Sequence, residues 1–270
     1  MDIQEGFLAQ NGKCLRCLRM GQGKKLLIAF HGFGQNATFF SPLAELLEKD
    51  FTLVAFDFPG ESAGLWKSKH YPDNKLVWHF IQKICADLGV DKVSLLGYSM
   101  GGRTAMCLTE YYPERVEQLV LLAPDGLQKN IWYRLATREF YGRLIFRHII
   151  HHPDTWIKRI NNLIDKGIIS SRWQKLVNNT LKKPEFRAQV LVDWPFTRNF
   201  IPNPKFLKRK LGKFQIPAHL FMGRFDQSFP PSVGERFAGN NPFVQLHVLQ
   251  TGHHILHSSE LPEVATVLKT

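Results

Sequence analysis

A serine flanked by glycines lies between a short apolar run and a helical pattern near the middle of the chain. The segment Gly97-Tyr98-Ser99-Met100-Gly101-Gly102 follows the strand-like run Lys92–Leu96. A sharp strand-to-helix turn holds a serine in a strained conformation clear of the sheet, and small residues on either side prevent a clash. The positive end of the helix dipole then lies beside the hydroxyl group. The segment therefore predicts that Ser99 is a nucleophile that attacks a carbonyl carbon.

A serine nucleophile needs a base, and the base needs an acid to orient it. Asp226 follows the strand-like run Ala218–Gly223, and His253 follows the run Phe243–Leu249. Because the carboxyl ends of parallel strands meet at one edge of an open sheet, we expect both side chains to lie beside Ser99. We predict that His253 accepts the serine proton and that Asp226 fixes the tautomer of the histidine.

Backbone donors are needed for the oxygen that becomes negative when a carbonyl is attacked. The segment His31-Gly32-Phe33-Gly34 follows another strand-like run, Lys24–Phe30, so a main-chain N–H group from this loop can face the same crevice. We predict an oxyanion hole formed by the N–H groups of Phe33 and Met100. We also predict that Phe33 and Tyr98 contact the substrate.

Alternating strand-like and helical runs position these residues. Asn11-Gly12 predicts a hairpin turn between Glu5–Gln10 and Lys13–Arg19. Further strands are predicted where apolar runs show no alternation, as expected of a sheet covered on both faces. Helices are predicted at Pro42–Lys49 with Ser41 as N-cap, Asn74–Leu88 with Gly89 as its stop, Met100–Tyr112 and Pro262–Lys269. The order indicates an α/β protein with an open, mostly parallel sheet.

The strand pattern lapses between two parts of this sheet. Residues 126–202 show only helical spacing, so we predict a helical cap inserted into a core made of residues 1–125 and 203–270. Four of the six tryptophans fall in the cap, and we predict that Trp132 and Trp194 contact substrate. Packing within the cap is the alternative role for each. The predicted cap helices are Ile131–Ile150, Pro153–Lys166, Ser171–Leu181 and Glu185–Asp193.

The basic charge is concentrated in one part of the chain. The formal net charge is +12, and residues 125–213 hold 19 Lys and Arg against 6 Asp and Glu. We favour a solvated face for this excess, and weak attraction to an anionic membrane surface or an acidic carrier is the functional alternative. No nucleic-acid-binding motif accompanies it, so we expect no nucleic-acid partner.

Several other classes of protein are disfavoured by the sequence. The 270 residues lack a basic, apolar leader and any apolar run of the about 20 residues that span a bilayer, so we expect a cytoplasmic protein. There is no phosphate-binding loop, and Cys14-Leu-Arg-Cys17 has the spacing of only half a zinc site. We therefore predict neither a cofactor nor a metal.

The chain resembles the α/β-hydrolase family. Its HGFG, DFPG, GYSMGG, GRFD and TGHH segments are similar to the motifs of that family, in the same order over nearly the whole length. The resemblance implies an eight-stranded, mostly parallel sheet with an antiparallel second strand and a cap inserted after the sixth strand. It also implies that the catalytic histidine directly follows the glycine, which favours His253 over His254. Some members place the acid after the sixth strand, where this chain has Asp125.

One motif departs from the family pattern. The loop after the fourth strand often reads D-x-P-G-x-G-x-S in the family, whereas Asp57-Phe58-Pro59-Gly60 here continues into Glu61-Ser62-Ala63-Gly64. We expect Asp57 to be a structural loop residue.

The resemblance is to capped esterases, lipases and C–C hydrolases. The turn that carries Ser99 also looks like that of cofactor-free haloperoxidases. The leading hypothesis is hydrolysis of an apolar carboxylic ester or thioester through an acyl-enzyme. C–C bond hydrolysis, acyl transfer and perhydrolysis would use the same residues. A non-turnover ligand-binding receptor of the same fold is a further alternative.

Overall fold

The computed structural model describes residues 1–58, 66, 68, 70–128, 131–169, 174 and 181–269, with the side chains of residues 131 and 132 also outside the description. The described chain divides into two compact units. One comprises residues 1–129 and 199–270, and the other comprises residues 130–198. The second unit is four residues shorter at each end than the predicted insertion of residues 126–202.

Eight strands form one sheet in the first unit, with the spatial order β1-β2-β4-β3-β5-β6-β7-β8. Strand β2 runs antiparallel to its neighbours β1 and β4, and the remaining neighbours pair in parallel. This topology confirms the predicted fold class. The strands are β1 (Ile3–Gln10), β2 (Lys13–Met20), β3 (Lys25–Phe30), β4 (Phe51–Phe56), β5 (Val93–Tyr98), β6 (Val116–Leu122), β7 (Ala218–Gly223) and β8 (Val244–Leu249).

The residue types explain where the strands lie. Strands β4, β5 and β7 are buried along their whole length, as their unbroken apolar runs require. Strand β1 stands at the edge and is largely exposed. Asn11 and Gly12 take φ values of 50° and 72°, which are the positive angles that a two-residue hairpin needs.

Six α-helices accompany the sheet in the described part of this unit. Helix α2 matches its prediction at both ends, because the Asp73 carboxylate accepts a 2.9 Å hydrogen bond from Leu76 N and Gly89 ends the helix at φ 65°. The predicted N-cap Ser41 is wrong. A 3-10 helix, Ala37–Phe40, runs directly into α1, so Phe40 is the N-cap and Ser41 is already helical. The helices are α1 (Ser41–Leu47), α2 (Asn74–Leu88), α3 (Gly101–Tyr111), α8 (Pro204–Phe214), α9 (Pro231–Ala238) and α10 (Leu261–Lys269).

The second unit is helical where it is described, with α4 (Ile131–Thr137), α5 (Phe140–His151), α6 (Pro153–Asp165) and α7 (Pro184–Phe196). The prediction of one continuous helix over Ile131–Ile150 is wrong, because the backbone is extended at Glu139. A Cβ atom at Gly142 would lie 2.2 Å from the carbonyl oxygen of Leu135. Glycine thus lets the first turn of α5 pack against α4. The predicted helix Ser171–Leu181 lies outside the described residues except at 174 and 181.

Aromatic side chains pack inside this unit. The Trp194 ring stacks on Phe146 with 5.2 Å between ring centroids and meets Tyr133 edge to face at 5.5 Å. The Tyr133 hydroxyl also donates a 3.1 Å hydrogen bond to the carbonyl oxygen of Trp194. These contacts hold α4, α5 and α7 together. No helix among the described residues is long and apolar enough to cross a membrane.

Candidate active site

Ser99 occupies the turn between β5 and α3 in a strained conformation. Its φ is 48°, in the left-handed region that non-glycine residues rarely adopt. The neighbouring glycines make the turn sterically possible. A Cβ atom at Gly97 would lie 2.6 Å from Gly102 Cα, and one at Gly101 would lie 2.0 Å from the carbonyl oxygen of Phe30. Glycine is therefore required where α3 approaches β5 and β3.

Backbone hydrogen bonds from the adjacent strand hold this turn. The N–H group of Ser99 donates to the carbonyl oxygen of Leu122, at the end of β6, over 2.9 Å. The carbonyl oxygen of Ser99 accepts from Asp125 N and from Gly102 N, each at 2.9 Å. The end of β6 and the loop that follows it thus fix the backbone of the serine.

The structure brings Ser99, His253 and Asp226 together. His253 Nε2 lies 3.1 Å from Ser99 Oγ, and His253 Nδ1 lies 2.7 Å from Asp226 Oδ2. An ionised carboxylate can only accept, so it selects the tautomer with the proton on Nδ1. Nε2 is then available to accept the proton of the serine hydroxyl. The arrangement therefore makes the Ser99 hydroxyl nucleophilic. As Oγ attacks, the imidazole of His253 can accept the hydroxyl proton and hold it transiently.

Asp226 is held as a carboxylate in a buried position. Burial by itself would raise the pKa of this group, but hydrogen bonds from His253 and from the backbone N–H groups of Phe229 and Ser228 outweigh it. The pKa of Asp226 therefore lies below its ordinary value. The two backbone bonds, 3.0 Å and 2.7 Å long, both reach Oδ1 and leave Oδ2 facing the histidine.

Tyr98 contacts both the backbone and the ring of His253. Its hydroxyl donates a 3.1 Å hydrogen bond to the carbonyl oxygen of His253, and the two ring centroids are 5.3 Å apart. The side chain is only 1% exposed, and burial raises its pKa. Tyr98 ends the fully buried strand β5, and its contact with substrate stays a prediction. We assign it a positioning role that the sequence analysis missed.

The predicted oxyanion loop passes directly beside the serine. A Cβ atom at Gly32 would lie 3.1 Å from Ser99 Cβ, so glycine lets the loop approach the serine without displacing its side chain. His31 fixes the loop, because its Nδ1 donates to the carbonyl oxygen of Gly32 over 2.8 Å and its Nε2 accepts from Phe58 N over 3.0 Å. Burial lowers the pKa of His31, which keeps the ring neutral in this role. The N–H groups of Phe33 and Met100 remain predicted oxyanion donors.

The two alternative residues lie elsewhere in the network. The carboxylate of Asp125 pairs with Arg103, with 2.8 Å from Oδ2 to both Nε and Nη2 of the guanidinium. His254 is exposed, and its ring centroid lies 5.8 Å from that of His253. Geometry therefore selects Asp226 and His253 as the partners of Ser99. Sequence spacing alone gave no sign of the pairing between Arg103 and Asp125.

Asp57 is a structural residue, as expected. Its buried carboxylate accepts hydrogen bonds from the Arg16 guanidinium of β2 and from Ala37 N at the start of the 3-10 helix. It thereby connects the end of β4 to β2 and to the 3-10 helix.

The remaining predicted substrate contacts are only partly described. Phe33 is partly exposed next to Gly32, and Trp194 is partly exposed within its aromatic cluster. The side chain of Trp132 lies outside the described residues. Substrate binding by Phe33, Trp132 and Trp194 therefore stays a prediction.

The cysteine pair on β2 shows no sign of a metal site. Cys14 and Cys17 are free thiols, and burial raises the pKa of Cys17 to about 11. Within the described part of the chain, no group of three or more His, Cys, Asp or Glu side chains is placed to hold a metal ion.

The Arg103–Asp125 pair yields a prediction about stability. Replacing Asp125 by Asn leaves the buried Arg103 charge without its counter-charge, so Asp125→Asn should lower the free energy of unfolding by about 2–4 kcal/mol. Asp226→Asn is the matched control. Its partner His253, unlike arginine, carries no permanent charge, so we expect a loss of only about 1 kcal/mol. Urea unfolding of both variants measures the difference, and equal losses would show that the pair does not stabilise the fold.

Known proteins resemble the chain in sequence and in structure. A family model described as "alpha/beta hydrolase fold" matches residues 25–149. A curated relative is the 2-hydroxy-6-oxononadienedioate/2-hydroxy-6-oxononatrienedioate hydrolase of Klebsiella pneumoniae. It is 25% identical over 249 residues, which span 87% of this chain and 82% of that protein.

Two solved structures share the architecture. The thioesterase domain from the curacin biosynthetic pathway superposes with a TM-score of 0.63 at 14% identity and covers 100% of both chains. The naproxen esterase of Bacillus subtilis superposes with a TM-score of 0.57 at 17% identity, covering 98% of this chain and 89% of that one. At these identities, the likeness concerns the fold.

Proposed function

We propose that the chain, which is similar to α/β hydrolases in sequence and in fold, is a serine hydrolase that cleaves a carboxylic ester or thioester through an acyl-enzyme. The observation that carries the proposal is the continuous hydrogen-bonded chain from Asp226 through His253 to Ser99. Both the order and the contact distances are those that nucleophilic catalysis by serine requires.

In the proposed acylation step, Ser99 Oγ attacks the carbonyl carbon while its proton moves to His253 Nε2. The carbonyl oxygen becomes an oxyanion, which the N–H groups of Phe33 and Met100 would stabilise. His253 then gives the proton to the leaving alcohol or thiol as the bond to the carbonyl carbon breaks. Asp226 stabilises the imidazolium that exists between these two transfers.

Deacylation uses the same groups in the same order. A water molecule attacks the acyl carbon, and His253 Nε2 takes one of its protons. The tetrahedral intermediate collapses, Ser99 Oγ leaves, and His253 returns the proton to it. The products are a carboxylic acid and a regenerated serine, so no external reductant or oxidant is consumed.

The surroundings of the three residues support preorganisation. The backbone of Ser99 is fixed by three hydrogen bonds, and Tyr98 holds the carbonyl oxygen of His253. Groups that need not move when charge develops give most of the stabilisation in such reactions. The same rigidity supports Ser99, His253 and Asp226 as the catalytic residues.

C–C bond hydrolysis is the second candidate, because the curated relative from Klebsiella pneumoniae bears the name of a hydrolase of 2-hydroxy-6-oxononadienedioate. That name describes a substrate with two carboxylates, and the basic residues 126–202, which we propose as a cap domain, would attract such an anion. The same serine, histidine and aspartate would serve the reaction. Acyl transfer and perhydrolysis would differ only in what attacks the acyl-enzyme.

The function is tested with a series of substrates. We expect multiple turnovers on p-nitrophenyl esters or acyl thioesters of graded chain length, with kcat/KM at least about tenfold higher than on a 2-hydroxy-6-oxo-dienedioate. Ser99→Ala should abolish both turnover and covalent labelling by a fluorophosphonate while circular dichroism stays unchanged. Preference for the dienedioate would establish the C–C hydrolase instead. A single slow event with no turnover would indicate a receptor.

Adjacent histidines provide a matched test of the base. His253→Ala should lower kcat by about ten-thousand-fold, because Ser99 then has no proton acceptor, and Asp226→Asn should be comparably severe because the wrong tautomer forms. His254→Ala and Asp125→Asn should change kcat by less than about tenfold. Steady-state kinetics on one soluble ester measures all four variants. A larger loss in His254→Ala than in His253→Ala would contradict the assignment.

A further inference from the structure

Helix α5 carries a row of large apolar side chains that face solvent. Phe140, Tyr141, Leu144 and Ile145 are 61%, 77%, 52% and 55% exposed. At 100° per residue they fall on one side of the helix, whereas Ile150 lies on the opposite side and is buried. We call these four residues the α5 outer face. Contiguous exposed apolar surface of this kind marks an interaction site more often than a solvated surface.

Helix α5 and the residues before it are rich in cationic side chains. Residues 131–152 contain four arginines and a single acidic residue, Glu139, which pairs with Arg134 at 3.2 Å. The guanidinium of Arg143 lies 6.0 Å from the ring centroid of Phe140. Arg147, one turn further along the helix, is exposed beside Leu144. Arg147 therefore borders the α5 outer face, whereas Arg143 lies nearer the side of Ile150.

We propose that the α5 outer face binds the surface of an anionic phospholipid bilayer. In this arrangement α5 lies in the plane of the interface, with the four apolar side chains inserted among the acyl chains and the arginines at the level of the phosphates. The consequence for catalysis, which rests on the proposed function, is that the ester substrate is supplied from a lipid phase.

The charges argue against two other occupants. A second copy of the chain would bring Arg147, which borders the face, toward the same arginine of its partner, and like charges repel. A folded acidic protein needs a complementary groove, whereas the α5 outer face is a ridge of protruding side chains. A fluid bilayer accommodates a ridge without matching its shape.

Vesicle co-sedimentation tests the proposal with three double variants of the full chain. Leu144→Gln with Ile145→Gln removes apolar surface, and Arg143→Gln with Arg147→Gln removes charge. The matched control is Ile3→Gln with Phe7→Gln, because these residues of β1 are 47% and 55% exposed. The vesicles contain phosphatidylcholine alone or phosphatidylcholine with phosphatidylserine. Turnover of a soluble ester and fluorophosphonate labelling are measured on every variant.

We expect the wild type and the β1 control to bind phosphatidylserine vesicles equally, and the apolar α5 variant to bind about tenfold or more weakly. The charge variant should lose the preference for phosphatidylserine, and salt should weaken binding of the wild type. Soluble-ester turnover should be equal in all four proteins.

Equal vesicle binding by all variants, or binding that ignores lipid charge, would overturn the proposal. A dimer in size-exclusion chromatography that only the apolar α5 variant dissolves would also overturn it, because the occupant would be a second copy. Vesicle binding that follows α5 while no protein turns over any ester would leave the surface established and refute the ester hydrolase.

Discussion

The left-handed backbone at Ser99 is the constraint on which the rest of the site depends, because a non-glycine residue with φ 48° is stable only if its surroundings hold it there. Gly97 and Gly101 provide the room, and the end of β6 provides the hydrogen bonds. The chain at the end of β6 is itself strained, since Ala123 has φ 42° and donates to the carbonyl oxygen of Phe221 in β7. The parallel strands thus fix the position of the Ser99 side chain.

Helix α3 also anchors two loops, through side chains near its start and near its end. Near its start, the Arg103 guanidinium pairs with the Asp125 carboxylate. The backbone N–H group of Asp125 donates to the carbonyl oxygen of Ser99. Near its end, Glu110 accepts a 2.6 Å hydrogen bond from Asn203 N, and burial raises the pKa of Glu110 to about 7. Asp125 lies four residues before the first unit is interrupted, and Asn203 lies four residues after it resumes. Both are therefore anchored to the helix that the nucleophile precedes.

Local patterns predicted the fold, because the signals for turns and strands depend on residues that are close in sequence. Asn11-Gly12 defined the hairpin, and the glycine spacing around Ser99 defined the turn. The order of the strands predicted that Ser99, Asp226 and His253 meet, since all three follow the carboxyl ends of parallel strands. Other side-chain contacts escaped prediction, such as the pairing of Arg103 with Asp125, which depends on the adjacency of β5 and β6. The break between α4 and α5, at the extended backbone of Glu139, was also missed. The hydrogen bond from Tyr98 to the backbone of His253 was also missed, because it joins residues 155 positions apart.

The central claim, that Ser99 becomes acylated, is tested most directly by trapping the intermediate. Wild type mixed with an activated ester is quenched in acid within the first turnover, and intact-mass spectrometry with peptide mapping locates the adduct. The account predicts a mass increase equal to the acyl group on the peptide that contains Ser99, and accumulation of the same adduct when a poorly hydrolysed acyl group is used. Acylation of another residue, or full turnover while Ser99 never carries an acyl group, would contradict it.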